Sequence, residues 1–297
     1  NDVDEDPDVR AASLRALFGL HDSGLKSWIA APVRDGNAAV RKVARTILAT
    51  MNPAEAVAEA ESVLQGDSAD EQQQVIEMLC QMSSVNADEV LLGALRMQLT
   101  ADANSPITLD LLEAAKRRGE KALVDAAREI ENRRNPEDPL GNYRECLYGG
   151  NAKRGEKIFF KNQKVNCVRC HMVNERGGNV GPNLSKVGRE KKAEYLLESI
   201  VLPSAKISPG YSTVQFLMAT GRVQSGIVKK EEAAHFVIQN ADGELVTIHK
   251  ADVDEMQAGL SGMPADLVKQ MSKREVRDLV AYLSTLVEEK KRSAHFE

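Results

Sequence analysis

Apolar positions over the first 135 residues recur every three to four residues, in stretches broken by short polar or Gly/Pro-containing gaps. That period belongs to amphipathic helices. Asp8 to Leu17 and Asn37 to Leu48 show it clearly, and Gln74 to Leu79 and Ile107 to Ala115 more loosely. Between them the pattern predicts partner helices over Gly24 to Val33, Ala54 to Leu64, Ala87 to Leu99 and Glu120 to Asn132. Two prolines and a polar, Gly-containing run then stop any helix, and a linker is expected over 136–147. Helical spacing resumes at Asn151 to Phe160 and closes the chain at Lys273 to Val287, where Ser272 and Glu275 form a capping-box signature. Between Pro209 and Met256 the period shortens to two. Tyr211 to Met218, Val223 to Val228, His235 to Gln239 and Glu244 to Ile248 read as strands, with Asn240-Ala241-Asp242-Gly243 as a hairpin turn.

The helical part repeats itself. Val9-Arg10 maps onto Val40-Arg41 and Leu17 onto Leu48, and the same step lands on Leu79. Helix pairs recurring every thirty to forty residues or so mark an α-solenoid. The D-x-x-V-R start, Asp6 to Arg10, resembles HEAT repeats, in which Val packs between helices and Asp and Arg pair between units. The second copy has Asn37 where that motif has Asp. An irregular helical bundle is the other reading of the same pattern.

Composition narrows the picture a little. The chain has 297 residues, enough for two domains, and is 42% hydrophobic but only 4% aromatic. Plentiful Ala and Leu favour helices over a β-sandwich. A net charge of −5, spread over both signs, makes no case for nucleic acid or an anionic membrane surface. No apolar run is long enough to span a bilayer. The opening Asn1-Asp2-Val3-Asp4-Glu5-Asp6-Pro7 is expected to be the start of a mature or excised piece.

The densest chemistry is Cys167-Val168-Arg169-Cys170-His171. C-x-x-C-H suits covalent haem: two thiols add across the porphyrin vinyl groups, and the next His serves as proximal iron ligand. A bare C-x-x-C is also half a zinc site, a redox pair or a structural disulfide. Cys80 and Cys146 are isolated, no second C-x-x-C exists, and the flanks lack a βαβ setting. The adjacent His favours haem c, one per chain, and with it an extracytoplasmic, periplasmic location, where such attachment takes place. Cys80 and Cys146 could pair as a disulfide in an exported protein.

Several motifs in order now resemble a class I cytochrome c: Gly155-Glu156-Lys157-Ile158-Phe159, the C-x-x-C-H, Val180-Gly181-Pro182-Asn183-Leu184, Tyr195 to Ile200, Leu202-Pro203 and Ser261-Gly262-Met263-Pro264. More narrowly, the chain resembles the haem-binding cytochrome family typical of planctomycetes and verrucomicrobia, which often follows HEAT-like repeats in large dehydrogenase-like proteins. The resemblance implies Met263 as second axial ligand, with Met256, Met218, Met271, His249 and His235 as rivals. It implies the Pro182 carbonyl as acceptor for the second ring nitrogen of His171. It also implies Arg189 as a propionate contact and Tyr195 and Tyr211 as hydrogen bonders nearby, although exposed Arg and half-buried Tyr are common anyway.

The expected architecture is therefore mainly α: HEAT-like repeats over 1–135, then a monohaem cytochrome over 148–290 with a small antiparallel β insertion at about 209–250. The expected function is electron transfer through His/Met-ligated haem c rather than catalysis. A dehydrogenase would be the donor, and a further cytochrome or an oxidase the acceptor. A peroxidase-like enzyme with an open iron site, or a HEAT scaffold for protein interaction, are the alternatives.

Overall fold

The computed structural model describes residues 5–100 and 105–287. The expected limits at residues 1 and 290 lie outside the described residues. Two compact units are present, Asn1–Pro136 and Glu137–Glu297.

In the first unit the described residues form α1 (Pro7–Gly19), α2 (Leu25–Trp28), α3 (Ala30–Val33), α4 (Ala38–Met51), α5 (Pro53–Leu64), α6 (Ala69–Gln81), α7 (Val85–Thr100), α8 (Thr108–Arg118) and α9 (Lys121–Asn132). Local chemistry starts them. Asp6, Asn37, Asn52 and Ser68 each accept a first-turn N–H, and proline opens α1 and α5. The stretch Gly24 to Val33 is two short helices rather than one. Pro32 has no N–H to give the Trp28 carbonyl, so the ladder is interrupted there.

The helices pack in two layers, α1 beside α4 beside α6 beside α8, and α5 beside α7 beside α9. Ala, Val, Ile and Leu at helical spacing fill the space between, among them Val40, Ala44, Leu79, Leu95 and Leu111. Arginines tie helices to neighbouring helices and loops. Arg10 Nη2 donates to Asp35 Oδ1 at 2.8 Å, Arg45 Nη1 to Glu71 Oε2 at 2.6 Å, and Arg41 Nε to Glu71 Oε2 at 3.1 Å. Further along, Arg117 holds Glu77 and Arg118 holds Asp88. Asn37 caps α4, while Glu71 supplies the carboxylate that Arg41 meets.

The second unit opens with a 3-10 helix, Gly141–Cys146, inside the stretch expected to be a linker. It folds because it packs against the last helix, where Lys273 Nζ donates to the buried Glu145 at 2.8 Å. Then come α10 (Ala152–Lys161), α11 (Cys167–Cys170), the short hairpin β1 (Met172–Val173) and β2 (Arg176–Gly177), α12 (Val187–Glu190) and α13 (Ala193–Val201). Strands β3 (Ser212–Met218), β4 (Val223–Glu231), β5 (His235–Gln239), β6 (Leu245–His249) and β7 (Val253–Ser261) precede the closing helix α14 (Lys273–Ser284).

Helix α14 is the hub: α10, α12 and α13 all pack on it. Its Ser272–Glu275 capping box forms. At its crossing with α10, a Cβ on Gly155 would stand 1.9 Å from the Asp278 carbonyl oxygen, so the two backbones touch. Phe159, four residues on, is buried against Tyr282, with ring centroids 5.8 Å apart. Asp278 is itself buried and accepts from the Asn151 N–H at 2.7 Å and Arg154 Nε at 2.6 Å.

The five strands form one antiparallel sheet in the order β6-β5-β4-β3-β7. Phe216, Phe236, Ile238 and Ile248 centre its buried face. Strand β7 does not show in the period-two pattern. It is an edge strand exposed along most of its length, so no buried face imposes alternation on it.

Candidate functional site

The C-x-x-C-H segment is one helical turn, α11, entered through Asn166 in the left-handed region at φ 41°. One turn sets Cys167 and Cys170 three residues apart along the same side of the chain. The His171 N–H closes the turn on the Cys167 carbonyl at 3.0 Å. The following loop folds back over it through three backbone bonds. Gly178 N–H donates to Val168 O at 2.9 Å, Gly181 N–H to Cys170 O at 2.8 Å, and Leu184 N–H to Met172 O at 2.8 Å. Asn174 and Glu175, both at positive φ, make the tight turn between β1 and β2. The Asn174 N–H is caught by the buried Ser185 hydroxyl at 2.9 Å, and that hydroxyl donates to Asn183 Oδ1 at 2.6 Å.

This wrapping fixes the imidazole. His171 Nδ1 lies 3.0 Å from the Pro182 carbonyl oxygen, which can only accept, so Nδ1 carries the proton and Nε2 is left for a metal. Desolvation holds the imidazole below its ordinary pKa, against the opposite pull of the Pro182 carbonyl, and so keeps it neutral. Desolvation likewise pushes the Cys167 thiol up to about 11.

Three glycines that sequence reasoning left without a role complete the cradle. A Cβ on Gly181 would stand 2.6 Å from His171 Cε1, so the ring lies flat on bare backbone. One on Gly178 would meet the Arg169 carbonyl oxygen at 1.9 Å, and one on Gly177 the His171 carbonyl oxygen at 2.2 Å. Gly177-Gly178 is visible in the sequence as a turn signal, but only the folded loop shows what it makes room for.

Residues 152–237 match the family model Cytochrome c. The second unit thus contains a c-type cytochrome domain. No curated protein matches the chain. The matched segment includes Cys167, Cys170, His171 and Pro182 and ends within β5, ahead of Met263. Its cofactor is covalently bound haem c, and one C-x-x-C-H provides for one haem. The donor set fits that group: two thiols on one turn, a neutral imidazole with one nitrogen spoken for, and glycine on the ring face. Among the described residues no three His, Cys, Asp or Glu side chains gather in a way that would hold a bare metal ion. A zinc reading of the cysteine pair therefore lacks its other ligands.

The remaining candidates make other contacts. Met263, half-buried in the loop after β7, donates its N–H to Ser261 Oγ at 3.2 Å. Arg189 is exposed on α12. Tyr195, on α13, has Lys191 Nζ 4.7 Å from its ring centre, and Tyr211 has Lys229 Nζ at 5.5 Å. Of the rivals to Met263, Met256 is exposed on β7, Met271 is buried beside α14, and His235 and His249 face each other across β5 and β6. Neither Cys80 nor Cys146 is in a disulfide. Cys80 accepts from Arg117 Nε at 2.9 Å, and Cys146 lies 3.4 Å from the Lys273 carbonyl oxygen.

Proposed function

We propose that this chain is an electron carrier with one haem c ligated by His171 and Met263, held beside its redox partner by a HEAT-like repeat unit. The observation that carries the reading is the committed Nδ1 of His171, 3.0 Å from the Pro182 carbonyl, directly after two cysteines on one turn. When bound, haem supplies a one-electron couple at its iron, and Met ligation raises its potential. Cys167 and Cys170 hold the group covalently. His171 presents Nε2 in a fixed tautomer, and the Pro182 carbonyl makes the imidazole a better donor. Met263 supplies the thioether from a loop that Gly262 and Pro264 shape and that the end of β7 anchors.

The two-layer packing of α1 to α9 and the run of arginine–carboxylate ties support the HEAT-like reading of residues 1–135. In this reading the repeats orient the cytochrome toward a dehydrogenase domain or subunit, and a further cytochrome or an oxidase takes the electron. In this reading the chain acts outside the cytoplasm, where haem is joined to C-x-x-C-H. No helix among the described residues is long and apolar enough to cross a membrane.

The test is the chain matured with haem c machinery. Its pigment survives acid–acetone extraction, and its ferric spectrum carries the far-red thioether-to-iron band. Met263→Ala abolishes that band, lowers the midpoint potential and opens the reduced iron to CO. A wild-type chain that binds CO rapidly would favour a haem enzyme instead.

A further inference from the structure

The five-stranded sheet is tied to the loop that carries the proximal carbonyl, and the tie is made at one strand end. Gln239, the last residue of β5, is 5% exposed. Its Nε2 donates to Asn179 Oδ1 at 3.2 Å and to the Gly243 carbonyl at 3.2 Å. Its Oε1 is buried with no hydrogen-bond partner. A methionine of similar volume would fill the same space without that cost. What the amide adds is a pair of donors that join the hairpin to Asn179. One neighbouring contact adds to the junction: at the surface, Asp242 in the hairpin turn pairs with Arg169 inside the C-x-x-C-H turn itself. Asn179 and Val180 lead directly into Gly181, which lies on the His171 ring, and Pro182, whose carbonyl faces His171 Nδ1.

The opposite edge of the same sheet runs into the Met263 loop. Thr213 Oγ1 donates to the Leu260 carbonyl at 2.7 Å, and the Ser261 N–H donates to Ser204 Oγ at 3.1 Å. One rigid sheet therefore anchors the loops of both candidate ligands, at its two ends.

We propose that Gln239 is a positioning residue for His171: the β5–β6 hairpin clamps the Asn179–Pro182 loop and thereby sets the strength of the bond between the imidazole N–H and the Pro182 carbonyl. This rests on the reading of His171 as the iron ligand. The hairpin is then part of how the chain tunes its potential. Loosening it weakens the N–H bond, makes the imidazole a poorer donor and moves the midpoint potential upward.

The experiment uses the full haem-loaded chain, with potential measured by spectroelectrochemistry and exchange of the His171 ring N–H by nitrogen-edited NMR. Gln239→Met keeps the packing and removes both donors. It should speed the exchange by about threefold to tenfold, the factor that goes with one net hydrogen bond, and raise the potential. Asp242→Ala should do the same to a smaller degree, and Asp242→Glu should restore the wild-type values. Thr247→Ala, exposed on β6, should change neither. Should Gln239→Met fail to fold, the Asp242 series decides the matter alone. Unchanged potential and exchange in variants carrying both thioether links would overturn the proposal. A wild-type chain that takes up no covalent haem, or whose iron is held by another residue, overturns the function reading and this inference with it.

Discussion

The two units use helices in opposite ways, and one pair of glycines shows it. Gly93 lies within α7 of the first unit, and a Cβ there would meet nothing within 4 Å. Gly155 lies within α10 of the second unit, and a Cβ there would run into the Asp278 backbone at 1.9 Å and Tyr282 Cβ at 2.6 Å. The first unit keeps a layer of Ala, Val, Ile and Leu side chains between its helices and adds arginine–carboxylate ties. In the second unit the helices meet backbone to backbone at α14, where Gly150, Gly155 and Gly188 all abut carbonyls of that helix. Side-chain packing tolerates change through rotamers, whereas main-chain contact leaves nothing to rearrange. The unit with the redox group is accordingly the one whose geometry is held at main-chain precision.

The sharpest way to break this contrast is Gly155→Val. The added atoms overlap backbone, so the loss goes beyond the ~1–3 kcal/mol of ordinary overpacking. The second unit should fail to fold and take up no covalent haem, while the helical circular dichroism of the first unit survives.

The first unit has its own weak point at Glu71, which serves both Arg41 and Arg45. Glu71→Ala removes the carboxylate that two largely buried guanidinium groups share, leaving Arg45 with Glu59 and Arg41 with the Asp35 carbonyl, and should cost about 1.5–3 kcal/mol in urea unfolding of that unit. The Arg41 hydrogen bonds hold the Glu71 carboxyl below its usual pKa, against desolvation and with help from Arg45. The folded form thus binds the proton less readily than the unfolded chain. The contribution of Glu71 is complete above the unfolded value of about 4.3 and disappears as pH falls through the lower folded value. A pH series on wild type and Glu71→Gln should show that slope in the first chain and lose most of it in the second.

The smallest expected effect completes the pair. Gly93→Ala should stabilise the first unit by about 0.5–1 kcal/mol, since α7 gains helix propensity and meets no obstacle. A destabilisation there would mean that α7 has a close neighbour after all, and the contrast with Gly155 would fail.

Much of this was legible along the chain, because it depends on neighbours in sequence. Helix periodicity, the capping box at Ser272, the hairpin turn at Asn240–Gly243 and the chemistry of Cys167, Cys170 and His171 all arise within a few residues. A covalent haem c site needs only two thiols on one turn and an imidazole directly after them, so its spacing survives in the sequence whatever surrounds it. The rest was settled by contacts between distant segments. Strand β7 exists because β3 offers it an edge, not because its own residues alternate. The 3-10 turn at Gly141–Cys146 exists because α14 receives it. Gly155 stands out in the sequence, four residues before Phe159, as a place where another helix can approach, and Gly181 as part of a G-P-x-L motif; only the fold shows that the Asp278 carbonyl and the His171 ring press against them. Gln239 and Asn179 stand sixty residues apart, and no local pattern could have joined a strand end to the loop beneath the His171 ring. Composition and period choose the elements; the close approach of one backbone to another chooses which of them make the site.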